Sequence, residues 1–402
     1  MTTVVRTVAI GTPPQVLDHS PALVWLSPDQ TLVGFGEAIR FAPGIGGERF
    51  DVAQAAFSEW VAGAEVDDEV SLPGSGPIAF ASFTFDHRSH GSVVVVPEVV
   101  IGCHRGQWFL TTVDGADTTP IFHPSGTGEL PVDRPRYAGA SIPDVAWLEA
   151  VAAVITSIES GMLDKVVLAR DYAVWSKERF DPRRVLRNLE ERFPDCYVFA
   201  VDGLVGASPE LLARISDRTV ESVALAGSAR RSADPIEDEQ IGKALLSSDK
   251  DRREHEMAAA SVGRVLGEVC ERMLRDPEPV LVELANVRHL ATRFRGRLSE
   301  HRSALEVAGR LHPTAAVGGH PSDAAVDLIR SLEGMDRGRY AGPVGWIDRH
   351  GDGEFAIAIR CAEISGARAR LFAGAGIVAG SLPENELEET RLKLQAMLTA
   401  LE

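Results

Sequence analysis

Apolar residues in the first third of the chain alternate with polar ones or run in short blocks, and Gly, Pro and Asp clusters separate the blocks. Residues 31–36, 78–85, 92–101 and 108–113 therefore read as β-strands. Residues 120–143, PIFHPSGTGELPVDRPRYAGASIP, concentrate proline and glycine and mark a seam between subdomains. Beyond it, VAWLEAVAAVITSIESGML repeats apolar residues at helical spacing. Strands are then predicted at 165–170, 197–201 and 211–215, a long helix from about 237 to 275, further sheet near 346–361 and 367–373, and a closing helix. Strands and helices interleave without a fixed-period repeat, which excludes solenoids and propellers. The pattern predicts a layered α/β (α+β) protein in which a sheet-rich portion over 1–140 and a second portion over 141–402 share one large core.

Charge narrows the possible partners. The 402 residues carry a net charge of −17, which opposes nucleic acid and anionic membranes. An anionic ligand must be held by local cations. Cys103, Cys196, Cys270 and Cys361 form no CxxC pair, so neither a zinc knuckle nor a disulfide framework is implied. No run of 18 uncharged apolar residues occurs, and MTTVVRTVAIGTPPQ lacks a secretory pattern. A cytoplasmic, monomeric protein with a small-molecule substrate is expected.

Two acidic pairs come next. Asp251 and Glu254 in SDKDRREHEM, and Glu386 and Glu389 in SLPENELEETRLKL, each lie three apart on a predicted helix and share a helix face. Facing carboxylates repel unless a cation sits between them, and an all-oxygen set favours Mg²⁺ over zinc. His255-Glu256 lacks the second histidine of HExxH. The same spacing also suits a solvated helix face.

Lys165 falls inside DKVVLAR, where alternation puts it on one sheet face with Val167 and Ala169. Desolvation there would turn its ammonium into a usable base, whereas a strand-edge lysine would snorkel to water. Glu210 in GASPELL stands at a turn after a strand, as a cap or as a general acid whose pKa burial raises. Gly227 and Ser228 in AGSARR, and the turn Gly374-Ala-Gly376 ahead of the last helix, could present backbone amides or a hydroxyl to an anion. His289 and His312 read equally as structural histidines. Arg360 ends FAIAIR, and Lys393 follows Glu389 by one turn, where the two could form an ion pair.

Taken in order, DKVVLAR, GASPELL, LAGSARR, SDKDRREHE, ANVRHLATRF, LHPTAAVGGHP, GWIDRHGDGEF, IRCAEI and LFAGAGIV with its following ExxE resemble the chorismate-utilising enzymes and, within them, the isochorismate synthases. The resemblance implies one large domain with two antiparallel sheets and flanking helices around a deep, Mg²⁺-dependent site for chorismate. It implies Lys165 as the base that activates water and Glu210 as the acid that protonates the departing hydroxyl. Glu254 and Glu389 match the principal Mg²⁺ ligands, with Asp251 and Glu386 completing the pairs. Gly227, Ser228, His289, Arg360, Gly374, Gly376 and Lys393 match substrate-binding positions. Ala226 removes the nucleophilic lysine of the aminodeoxychorismate synthases, and Lys165 argues for water over ammonia. Ala316, where salicylate synthases carry threonine, implies that the reaction stops at isochorismate, for menaquinone or siderophore routes. A salicylate synthase is the alternative, and a non-catalytic metabolite-binding protein the third possibility.

Overall fold

The computed structural model describes residues 2–11, 13, 17, 22–122 and 134–402, so part of the expected seam at 120–143 lies outside the described residues. The strands form a thirteen-stranded and a ten-stranded sheet. Among the described residues pairing is antiparallel except where Thr3–Ala9 runs parallel to Ala64–Asp68. Both sheets mix strands from either side of residue 140: Leu23–Leu26 pairs with Tyr197–Val201, and Ile78–Ser82 with Pro343–Asp348.

Side-chain alternation explains how continuous apolar runs serve two cores. Phe199 and Val201 join Trp25 and Leu32 in the core that also takes Phe80, Trp346 and Phe355 of the second sheet. Val198 and Ala200 point the other way, onto Leu186 and Leu189 of helix Pro182–Arg192 and Leu394 and Met397 of helix Pro383–Leu401. Around these strands the first sheet is covered on both faces, which is why Leu23–Leu26 and Tyr197–Val201 lack polar alternation. Among the described residues no helix is long and apolar enough to cross a membrane.

Two expected elements prove to be composite. The run 92–101 is broken at Pro97, which removes a ladder donor: Val93–Val96 belongs to the ten-stranded sheet and Val99–His104 to the other. The helix expected over about 237–275 is two helices, Pro235–Ser247 and Asp249–Val269, followed by the strand Cys270–Arg275. Ser248 makes the break. Its backbone is extended (ψ 116°) and its side chain accepts the Asp251 N–H, capping the second helix. That helix packs on the strand Thr219–Arg230, and helix Pro383–Leu401 packs on Arg368–Val378. Both acidic helices are thereby set against the strands that hold the site.

Ser248→Ala is expected to destabilise the protein by about 1 kcal/mol, as loss of a serine cap does. An unchanged urea midpoint would count against the capping role.

Candidate active site

The strand Lys165–Trp175 pairs along its whole length with Arg368–Val378, placing Val167 opposite Gly376 and Ala169 opposite Gly374. Lys165 is 0% exposed, so it does not snorkel. Its Nζ stands 3.1 Å from Glu254 Oε1, yet the alignment is not that of a hydrogen bond, and among the described residues Nζ has no hydrogen-bond partner. Gly376 makes room for this pair: a side chain there would collide with the Glu254 carboxylate and begin 3.2 Å from Lys165 Cε. Gly374 and Gly376 were expected in a turn, but both lie inside the strand. Their function is clearance, since Gly374 likewise leaves space before the Tyr340 hydroxyl, 3.1 Å from where its Cβ would be.

Strands Thr219–Arg230 and Val287–Leu298 slip register between Ala226 and Ser228, leaving Gly227 as the extra residue of a bulge at φ +72°. The bulge aims two groups at His289, whose Nδ1 lies 3.3 Å from the Gly227 carbonyl and 3.0 Å from Ser228 Oγ. His289 Nε2 lies 2.9 Å from Arg360 Nη2. A guanidinium can only donate, so Nε2 accepts and the ring proton sits on Nδ1, facing Gly227 and Ser228. The Ser228 oxygen then accepts from the ring, and its own O–H is left to donate into the cavity. Burial, helped by the nearby Arg360 and Lys393 charges, holds the imidazole pKa well below 6.5, so His289 is neutral. Arg360 is itself buried, adopts φ +51°, and among the described residues has no partner at Nε. A left-handed arginine is a strained backbone, retained where the surroundings fix it.

Glu210 lies where the chain passes from strand Leu204–Ser208 of one sheet to Leu211–Ser216 of the other. It is 3% exposed. Burial pushes its carboxyl up to about 8, against the opposing pull of Lys165, the Leu225 backbone N–H, Arg360 and Lys393. At neutral pH it holds a proton.

Glu210, Glu254, His289, Arg360 and Glu389 line one cavity of about 50 Å³, to which Gly227, Ser228, Ala316, Gly374, Gly376 and Lys393 also contribute. Lys165 sits directly behind this surface, screened by Gly376 and Glu254. Lys393 Nζ reaches Glu389 Oε1 at 2.5 Å and the Gly374 carbonyl at 2.8 Å, so the i,i+4 pair forms and borders the cavity as well. The structure does not bring all four acids together. Asp251 stands behind Gly227, its Cβ 3.3 Å from the site of the missing side chain, and Glu386 is held by Lys250 at 3.0 Å. A helix turns 100° per residue, so positions three apart diverge enough for one to face the cavity while the other faces its wall. His312 is structural: its Nε2 bonds the Phe85 carbonyl at 2.8 Å.

Among the described residues no three His, Cys, Asp or Glu side chains converge on a point that could hold a metal. Two carboxylates from different helices nevertheless meet at the cavity. Glu386 is raised first by burial and then by the like charge of Glu389, a crowding that a cation relieves. This donor set fits Mg²⁺, which keeps several waters and takes one or two protein carboxylates, better than an ion needing a full protein cage.

Sequence reasoning missed Tyr340. Its ring stacks on Phe372 at 5.0 Å between centroids, and it lines the cavity with Val167, Val317 and Ile359. Its only sequence signal was an aromatic set among glycines in GRYAGPVGW.

This fold is that of a known family. Residues 130–402 match the model described as "Chorismate binding enzyme", and the chain belongs to that family. It is 35% identical to the isochorismate synthase MenF of Bacillus subtilis over 94% of this chain and 87% of that one. The crystal structure of a putative 2,3-dihydroxybenzoate-specific isochorismate synthase, DhbC, from Bacillus anthracis superimposes with a TM-score of 0.82 at 32% identity, covering 96% of this chain and 98% of that one. The menaquinone-specific MenF of Escherichia coli gives a TM-score of 0.83 at 25% identity, covering 99% and 95%.

Gly376→Ala should displace Glu254 from Lys165 and lower chorismate turnover at least tenfold, since small misplacements at a reacting centre are costly. Full activity in this variant would show that the clearance is not needed.

Proposed function

We propose that the chain is an isochorismate synthase, converting chorismate to isochorismate with Mg²⁺ as cofactor. The observation that carries this reading is the burial of a protonated Glu210 in the wall of one cavity and of Lys165 behind it, with the Arg360 and Ser228 donors that His289 orients. Chorismate is a dianion, and in an acidic chain these donors and Lys393 are what can hold its carboxylates. Glu254 and Glu389 hold the cation, with Asp251 and Glu386 supporting them from behind. When bound, Mg²⁺ neutralises and orients a substrate carboxylate.

Lys165 acts here as the free amine, after its ammonium has released a proton to solvent, and takes a proton from water as the water oxygen bonds to C2 of the ring. The ring double bond shifts and the C4–oxygen bond breaks. Glu210 gives its proton to the departing hydroxyl, which leaves as water, so atoms balance and the product is an isomer. Proton exchange with solvent resets the two groups. Ala316 adds only a methyl to the wall, which supports stopping at isochorismate. The product serves menaquinone or siderophore synthesis, and four free cysteines support work in a reducing cytoplasm.

The test is chromatography after incubating purified protein with chorismate, with Mg²⁺ or with EDTA. Isochorismate formed only with Mg²⁺ is expected; its absence would falsify the reading, and salicylate plus pyruvate would replace it with a salicylate synthase. Glu389→Gln should move the Mg²⁺ titration to higher concentration while lowering activity, and an unchanged titration would remove Glu389 from the ligand set. Because the acid form of Glu210 is lost as pH rises through about 8, kcat should fall on that alkaline side. Glu210→Gln should lower kcat by about 10²- to 10⁴-fold and leave no such limb. A wild-type rate that keeps rising above pH 9 would overturn the acid role.

A further inference from the structure

On one edge, strand Lys165–Trp175 has a gap in its pairing. Lys165 and Val166 pair with His320 and Gly319, the Val167 N–H donates to the Gly318 carbonyl at 2.8 Å, and Ala173 to Trp175 pair with Arg136–Gly139, but among the described residues 168–172 have no strand neighbour on that side. Two buried side chains fill the gap. Glu333 Oε1 accepts the Ala169 N–H at 2.7 Å, and Arg337 Nη2 donates to the Val167 carbonyl at 2.7 Å. Arg337 Nη1 also donates to the Val317 carbonyl at 2.8 Å, its Nε to Glu333 Oε2 at 2.9 Å, and its Nη2 to Glu333 Oε1. Glu333 is 2% exposed and Arg337 3%, and the guanidinium lies 4.1 Å from the Phe85 ring centroid.

We infer that Glu333 and Arg337 are positioning residues: as a surrogate strand they fix the Lys165 strand against the Ala316–Val317 loop, and so set the gap between base and substrate. Val167 and Val317, whose carbonyls share the one guanidinium, both line the cavity. Lys165 lies two residues from Val167 on the same strand face, and Ala316 adjoins Val317. A planar fork can bridge two carbonyls and a carboxylate at once, which a lysine ammonium cannot do with the same geometry. The inference rests on the isochorismate synthase reading for its kinetic consequence, though not for its structural one.

Arg337→Lys keeps the charge beside Glu333 but loses the fork. It is expected to lower kcat by about tenfold to a hundredfold with KM changed by less than about threefold. In a Lys165→Ala background the same change should cost less than about twofold in kcat, because the misplaced group is already gone, while the drop in thermal midpoint persists. If the kcat losses multiply in the double variant, or if Arg337→Lys leaves kcat unchanged, the positioning role is overturned. Should Arg337→Lys fail to fold, Glu333→Gln, isosteric and still able to accept the Ala169 amide, carries the same comparison. Hydrogen exchange separates the two readings: faster exchange of the Ala169 amide in Arg337→Lys is expected whether or not the wild type makes isochorismate. Unchanged exchange overturns the surrogate strand itself.

Discussion

A buried lysine held against a partly buried carboxylate is the constraint around which the rest of the site is arranged. Removing either charge from water alone costs several kcal/mol, so Lys165 and Glu254 are tolerable only together. Their meeting requires a strand neighbour without a side chain at 376, a helix that starts soon enough before 254 to present it, and a closing helix that seals the far side. Each of these local features is weak evidence of function alone. Together they place an ion pair where a surface lysine would otherwise have gone.

The anion-binding side follows a different logic. Arg360 fixes the His289 proton on Nδ1, and that proton in turn frees the Ser228 hydroxyl to face the cavity. The bulge at Gly227 is what brings carbonyl and hydroxyl to the same ring nitrogen. A neutral histidine thus transmits orientation without adding charge to a chamber already crowded with ions, while Glu210, met by the Leu225 backbone N–H, keeps its proton through burial.

Much of this was legible in the sequence because it rests on local pattern. The alternation around Lys165, the turn before Leu211 and the ordered motifs needed no tertiary information. What escaped depended on partners far away in the chain. A glycine pair reads as a turn until the opposite strand and the carboxylate it must clear are known. Asp251 and Glu254, or Glu386 and Glu389, cannot be ranked by spacing, because only the packed helix decides which of each pair faces inward. The break at Ser248 was hidden by good helix formers on both sides, and the change of sheet at Pro97 by the valines that flank it on either side. Tyr340, Glu333 and Arg337 carried no motif, since their roles lie in contacts with Phe372, Val167 and Ala169.

The interleaving of early and late strands has a consequence for how the molecule is made. Leu23–Leu26 waits for Tyr197–Val201, and Ile78–Ser82 for Pro343–Asp348, so a nascent chain leaves the ribosome with open, apolar strand edges long before their neighbours exist. Such edges invite pairing with other chains, and long-range pairing folds slowly. Chaperone supply and slow, cool expression should therefore govern the yield of native protein more than its final thermodynamic stability does.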